Sequence, residues 1–243
     1  MQKTHYMRMV RYINAHCHID GCRNFVFGTD GIVGAVCNST QMSNWDAVVK
    51  FAAEKPAVRA CIGIHPWYVN TATAGWDAQM NKMLRENPAL MVGEIGIDKT
   101  HPDFSRQLEI FTRQMEIAAE NNRVAHIHCV GAWDILQNVF AEMGTHMPRV
   151  VMHAFVATPE IVRAIARKYD AYFSFSDAVM DSRRTRLHRA VATVGVGRIL
   201  IETDDAQMEI LPKISECVAN IRRTPHDEMA RILYENTMCM LGK

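Results

Sequence analysis

The sequence predicts an α/β fold in a single domain, residues 1–243: a parallel (β/α)8 barrel of the TIM type. Three observations predict it. Eight short apolar runs rich in strand formers alternate with longer stretches whose apolar residues recur at intervals of three and four. A length of 243 residues suits one such barrel. Imidazole and carboxylate side chains gather at the C-terminal ends of the apolar runs, the end of a barrel where functional groups sit. An open doubly wound sheet is the alternative arrangement of the same elements.

The first run, "MVRYINAH" (9–16), ends on His16, and His18 follows two residues on. Side chains alternate along a strand, so His16 and His18 share a face while Cys17 faces away. Such a pair either shares hydrogen bonds in a polar pocket or holds one ion. "GIVGAVCNS" (31–39) is the second strand, backed by the amphipathic helix "NWDAVVKFAAEK" (44–55), and "AVRACIGIH" (57–65) is the third. The fourth, "LMVGEIGID" (90–98), carries Glu94 and Asp98 late in its course and precedes the helix "SRQLEIFTRQMEIAAENN" (105–122). The fifth, "RVAHIHC" (123–129), puts His126 and His128 on one face and leads to "AWDILQNVFAEMG" (132–144). The sixth, "RVVMHAF" (149–155), brings His153 and is followed by "TPEIVRAIARKY" (158–169). "AYFSFSD" (171–177) is the seventh, and "RILIETDD" (198–205) ends the series on Asp204, with Glu202 two residues before it.

Composition narrows the function classes. The formal net charge of +1 exerts no global pull on nucleic acid or anionic membrane, so a polyanion has to be met by a local patch. There is no run of about 18 apolar residues, and "MQKTHYMRMVRY" lacks an apolar leader segment, so the expectation is a cytoplasmic protein without a membrane partner. Seven scattered cysteines, never spaced C-x-x-C, speak against a disulfide framework or a cysteine zinc ribbon, and the sixteen methionines read as core filler.

A barrel brings His16, His18, Glu94, His128, His153 and Asp204 into one ring. Four imidazoles and two carboxylates without cysteine suit Zn, Mn, Ni, Co or Fe, with Mg possible where water fills much of the coordination. One ion takes three or four protein ligands, so this set predicts two divalent ions sharing a carboxylate. Two ions so placed generate a hydroxide at neutral pH, and hydrolysis follows. Glu94 alone reads as a helix cap; turned into a barrel without a cation, it is costly to desolvate, which favours the ligand reading. His126, one layer deeper than His128, reads as a hydrogen-bonded interior histidine. Glu202 stands in the same relation to Asp204 and reads as a support for a ligand, as does Asp98. Cys17 and Cys129 face away from the ring.

The stretches "NAHCHID", "GIHPW", "VGEIGID", "HIHCVGAWDIL", "MHAF" and "LIETDD", in this order and spread from the first strand to the last, resemble the TatD-type metal-dependent deoxyribonucleases, a branch of the amidohydrolase-like barrels. The resemblance implies that His16, His18 and Asp204 hold one ion, that His128 and His153 hold the other, and that Glu94 bridges them. It implies further that Asp204 is the general base and that His65 lies near the substrate phosphate or behind the ligands. The chain departs from the family at four places. Asn14 stands for the usual Asp. Cys129 and Val130 replace a small residue and an arginine after His128. Asp205, Ala206 and Gln207 replace a Ser or Ala followed by Pro, and a later Arg-Asn-Glu-Pro segment is absent. These changes spare the ligands and alter the substrate wall. The basic stretch "DSRRTRLHR" (181–189) follows the seventh strand, where barrel phosphate sites are frequently built, so Arg183 or Arg184 is a candidate replacement for the lost arginine, against a plain solvated helix face.

Three functions compete at this stage. The first is a phosphodiesterase, a nuclease of the TatD type with nucleic acid as substrate. The second is an amide, ester or lactone hydrolase, aminoacyl-tRNA deacylation included, on the same metal centre. The third is a metal-holding protein without turnover, which the complete ligand set disfavours.

Overall fold

The computed structural model describes residues 10–205 and 207–242; Met9, at the start of the first expected strand, and Ala206, in the segment after "ETD", lie outside the described residues. Eight strands pair in parallel in one sheet: β1 (Tyr12–Cys17), β3 (Ile32–Asn38), β4 (Val58–Ile62), β5 (Met91–Asp98), β6 (Ala125–Val130), β7 (Val150–Met152), β8 (Ala171–Phe175) and β9 (Ile199–Ile201). The seam between the last and first strands is joined by a parallel bridge of Cys17 with Asp204, whose backbone N–H donates to the His16 carbonyl at 3.1 Å. The sheet thus closes into a barrel. Every residue of β1, β5 and β8 is buried, as expected for parallel strands covered on both faces.

All eight expected strands form, several of them shorter than expected, β7 and β9 most of all. β7 stops before His153 and β9 before Glu202, although both residues still donate backbone hydrogen bonds to the neighbouring strand, and the chain turns through positive φ at Ala154 (φ 41°) and Asp204 (φ 54°). Ala154 and Asp204 occupy the left-handed region that L side chains seldom adopt. Helices α2 (Trp45–Glu54), α3 (Trp76–Glu86), α4 (Phe104–Glu120), α5 (Trp133–Met143), α6 (Pro159–Ala166), α7 (Thr185–Thr193) and α8 (Leu211–Arg222) follow successive strands from β3 onward. The expected eightfold alternation fails after β1. There a single turn, α1 (Ile19–Cys22), and a short strand, β2 (Phe27–Asp30), stand in for a helix, since Gly21, Gly28 and Gly31 interrupt any amphipathic stripe. The last helix, α9 (His226–Met240), packs against both β1 and β9 and covers the seam.

The larger core lies between barrel and helices; a smaller one, with Ala15, Val36, Cys61, Met91, Val151, Tyr172, Leu200 and Met240, fills the barrel floor. Above that floor the strands diverge, and their backbone groups need other partners. Helix α4 supplies them. Its buried face carries two glutamines seven residues apart among Ile110, Phe111, Met115 and Ala118. Gln114 accepts from the Ile64 N–H at 2.7 Å and donates to its carbonyl at 3.1 Å. Gln107 does the same for Asp98, at 2.8 and 3.1 Å. No helix among the described residues is long and apolar enough to cross a membrane.

The Gln114 clamp leads to a stability prediction. Gln114→Leu keeps the volume but strands the buried Ile64 N–H and C=O, at a cost of roughly 1–3 kcal/mol for each group. Urea unfolding is expected to show a midpoint lowered by at least about 2 kcal/mol of stability; an unchanged midpoint refutes the clamp's importance.

Candidate metal centre

Glu94 sits in β5 with its carboxylate at the middle of the barrel mouth. Small groups set its position. A Cβ on Gly63 would come within 2.5 Å of the Glu94 carbonyl oxygen, so only glycine lets β4 pass this close. The Glu94 N–H donates to the Ser39 carbonyl at 2.8 Å, and the Ser39 hydroxyl accepts from the Gly63 N–H at 2.8 Å.

Nitrogens of five histidines surround this carboxylate. Oε1 lies 2.7 Å from His153 Nε2, 3.1 Å from His128 Nδ1 and 3.3 Å from His65 Nε2. Oε2 lies 3.3 Å from His18 Nε2 and 3.5 Å from His16 Nε2. Asp204 Oδ1 adds a second carboxylate at 3.4 Å from His18 Nε2 and 4.0 Å from His16 Nε2. The six residues expected to form the ring therefore converge. His65 stands closer than expected, beside Glu94 and His128 rather than at a remove from them.

The first strand delivers its histidines through an irregularity. Ala15 belongs to the barrel floor and His16 also points inward, because the β1–β3 register shifts between Asn14 and Cys17. Cys17 then faces the outer core, and so does Cys129, as alternation predicts. Asn14 ties β1 to the segment bearing Asp204: its Oδ1 accepts from the backbone N–H groups of Thr203 at 3.1 Å and His16 at 3.2 Å, while Nδ2 donates to Thr203 Oγ1 at 2.6 Å. With the amide the Thr203 hydroxyl accepts; with the family's usual aspartate it would donate, so the tie survives either residue.

Four of the five rings are oriented from behind. His18 Nδ1 lies 3.0 Å from the Asn38 carbonyl oxygen, and His65 Nδ1 accepts from the Trp67 N–H at 3.2 Å. His128 Nε2 lies 3.4 Å from Asp98 Oδ2, and His153 Nδ1 lies 3.3 Å from Glu202 Oε1. Glu202 is itself held by the Ala154 N–H at 2.6 Å and by the Ser174 hydroxyl, and Asp98 by Trp67 Nε1–H at 2.7 Å and by the Thr100 hydroxyl at 2.6 Å. In each ring the anchored nitrogen fixes the tautomer and leaves the other facing Glu94. Asp98 and Glu202 thus have the supporting places expected of them.

His16 is the exception. It is wholly buried, and neither ring nitrogen has a hydrogen-bond partner among the described residues. A buried, unpartnered imidazole is costly unless something binds it, and Nε2 faces the gap between Glu94 and Asp204. That orphaned nitrogen, in a set of nitrogen and oxygen donors, fits a divalent cation. His126, expected to be hydrogen-bonded, is not: both its nitrogens also lack partners. It packs under His16, with ring centroids 5.6 Å apart, against Gly93, which has no side chain to offer. Burial, with His16 and His153 nearby, pushes its pKa well down and keeps it neutral.

The charges favour a cation throughout the site. Burial alone would raise the Glu94 carboxyl, but His153, His65 and His128 outweigh it and hold it well below the usual range. Burial works against charge on His18 too, yet Asp204 and Glu94 push its pKa up to about 10. His153 is likewise raised against its burial by Glu94 and Glu202. His16 and His65 shift down, chiefly through burial. Asp204 is lowered despite burial by the His18 hydrogen bond and the charges of His153 and His16.

Three groups offer ligand atoms within 4.8 Å of one another: His16, His18 and Asp204; His16, Glu94 and His153; and His65, Glu94 and His128. The first coincides with one expected ligand set, and Glu94 is common to the other two. Arg183 does not join them. It is 89% exposed after β8 and pairs with Asp181 at 2.9 Å. Sequence reading missed Gln107 and Gln114, which hold the backbone beside His65 and at Asp98; their seven-residue spacing on an apolar helix face was the available signal.

The comparisons agree with this geometry. An "uncharacterized metal-dependent hydrolase YjjV" of Escherichia coli (strain K12) is 24% identical over 262 residues, covering 96% of this chain and 98% of its own. A "3'-5' ssDNA/RNA exonuclease TatD" of Shigella flexneri serotype 5b (strain 8401) is 24% identical over 203 residues, with 81% of this chain and 77% of its own length covered. The crystal structure of the Escherichia coli K12 TatD homologue YJJV superposes with a TM-score of 0.84 at 21% identity, over 97% of this chain and 99% of that one, which establishes the shared barrel. The family described as TatD related DNase matches residues 13–242, and the chain belongs to it.

Proposed function

We propose that this member of the TatD family hydrolyses phosphodiester bonds at the ends of single-stranded nucleic acid, using two divalent ions held by His16, His18, Glu94, His128, His153 and Asp204. The observation that carries the reading is the Glu94 carboxylate ringed by five imidazoles, with the buried His16 nitrogen unpartnered beside Asp204. His16, His18 and Asp204 would hold one ion and His128 and His153 the other, with His65 adjacent and Glu94 available to both. Zn, Mn, Ni or Co suits this donor set, and Mg with a larger share of water. Such ions supply Lewis acidity, acidifying a water and neutralising phosphate charge. The substrate class follows the relative named a 3'-5' ssDNA/RNA exonuclease.

The protein's own groups divide the remaining work. Asp204 is ionised and half-open to solvent, with Oδ1 turned to His18 and His16, leaving Oδ2 to take the proton of the attacking water. As the new P–O bond forms, the bond to the leaving sugar oxygen breaks, and that oxygen takes the proton that Asp204 accepted from the water. Asp98 and Glu202 keep His128 and His153 in register through the step. Val130 ends β6 without charge, so phosphate recognition falls to Arg184 and to Arg183 released from its exposed pairing with Asp181, an ion pair of a kind that holds weakly.

Three variants test this assignment. Glu94→Gln preserves shape but removes the charge shared by both ions; elemental analysis is expected to show metal content falling together with turnover, and full two-ion occupancy at normal turnover rules the bridging role out. Asp204→Asn is expected to lower kcat by about 10²–10⁴-fold with the fold retained by circular dichroism, since general-base help has that size; a near-normal rate with both ions bound assigns the base elsewhere. Arg183→Ala/Arg184→Ala is expected to raise KM for an oligonucleotide and flatten its salt dependence, because fewer phosphate contacts release fewer counterions. A marked preference for acyl esters over phosphodiesters, untouched by the double change, overturns the nuclease reading and leaves the metal site standing.

A further inference from the structure

We propose that Trp67 is a stacking platform for a base of single-stranded nucleic acid, an inference that rests on the nuclease reading above. Trp67 follows β4 in the turn Pro66–Thr71, immediately beyond His65. Its indole is 51% exposed and is the only aromatic among the large apolar side chains that stand exposed in the described residues. Exposure of this kind normally goes with mobility, yet the ring is held on several sides. Its Nε1–H donates to Asp98 Oδ2 at 2.7 Å, and one face stacks on His101 with centroids 4.4 Å apart and planes inclined by 20°. Its backbone N–H is bound to His65 Nδ1. The rings of His65 and His128 approach edge-on, with centroids at 5.0 and 6.5 Å. An immobilised indole beside the reacting centre loses little entropy when a flat ring settles on it.

The surroundings point to the same ligand. Val156 and Met180 are also exposed large apolar residues, on connections that leave the C-terminal ends of β7 and β8. The mouth thus carries exposed apolar groups, and Val130 stands where the resemblance leads one to expect an arginine. Beyond what the exposed arginines after β8 offer its phosphates, a substrate whose scissile phosphate enters the ring gains affinity from its bases. Stacking supplies that affinity without reading sequence, because every base presents a π-face. A duplex end keeps its bases stacked on each other, so the platform selects single strands.

The test compares an intact oligonucleotide with one whose terminal nucleotides are abasic. The wild type is expected to prefer the intact strand in kcat/KM by about 5–150-fold, the range that loss of about 1–3 kcal/mol of stacking implies. In Trp67→Ala that preference is expected to fall to about one. Trp67→Phe keeps a π-face but loses the bond to Asp98, and is expected to retain most of the preference. With the metal chelated, the intact strand is expected to quench the tryptophan emission of the wild type and not that of Trp67→Phe. Parallel loss on both strands in Trp67→Ala, reproduced by Trp67→Phe, assigns the residue to orienting His128 through Asp98 and overturns the platform alone. A wild type that cleaves intact and abasic strands equally does the same. A wild type that cleaves neither overturns the nuclease reading, and the platform with it.

Discussion

The structure depends on one buried negative charge. Glu94 is almost fully buried, and taking a carboxylate out of water costs several kcal/mol even after the protein relaxes around it. No lysine or arginine forms an ion pair with it among the described residues; the compensation comes from imidazole nitrogens on four different strands and connections. Imidazole compensates by donating an N–H, by taking up a proton or by sharing a cation. The upward shifts of His18 and His153 show how strongly the site draws positive charge from water. A divalent ion answers the same demand with a fixed charge, and does so without forcing the rings to become cationic. Metal affinity is therefore a property of the way the barrel ends are packed, not an addition to them.

Keeping those rings at the carboxylate is largely a matter of backbone. Parallel strands that run together at the floor diverge at the mouth, where the ladder no longer satisfies their N–H and C=O groups. Gln107, Gln114, Ser39 and the indole of Trp45 fill in, the last by donating to the Gly63 carbonyl at 2.8 Å. Each of these polar side chains reaches from a helix or loop onto a strand end next to a histidine or an acid of the ring. Rigidity at the mouth thus comes from side-chain to backbone bonds, and the floor needs only apolar packing.

Much of this was legible in the residues themselves. Strand runs such as "LMVGEIGID" and "RVVMHAF" announce buried parallel strands, and the placing of histidines and acids at their ends announces the ring. The helices around residues 45–54 and 104–120 follow from apolar spacing. What stayed hidden depends on partners distant in sequence. "GIHPW" placed His65 near the phosphate or behind the ligands, but its contact with Glu94 depends on the approach of β4 to β5 across Gly63. Gln107 and Gln114 look like polar breaks in a helical stripe until the strand ends that they serve are known. The missing helix after β1 is offset by α9, more than 180 residues away in sequence, which no local pattern discloses. His126 was legible as interior but not as unpartnered, since that depends on Gly93 lacking a side chain.

The seam has a consequence for the order in which the molecule is made. His16 and Asp204 are among the first and last members of the ring, and the bridge from Cys17 to Asp204 is the contact that shuts the barrel. Contacts between such distant points form late, because the loop entropy they must overcome is large. A nascent chain emerging from the ribosome carries His16, His18 and Glu94 long before it carries Asp204, and the cover provided by α9 comes later still. Closure of the barrel therefore waits on the last strand, and a growing chain that already carries His16, His18 and Glu94 lacks the bridge that shuts it until Asp204 is made.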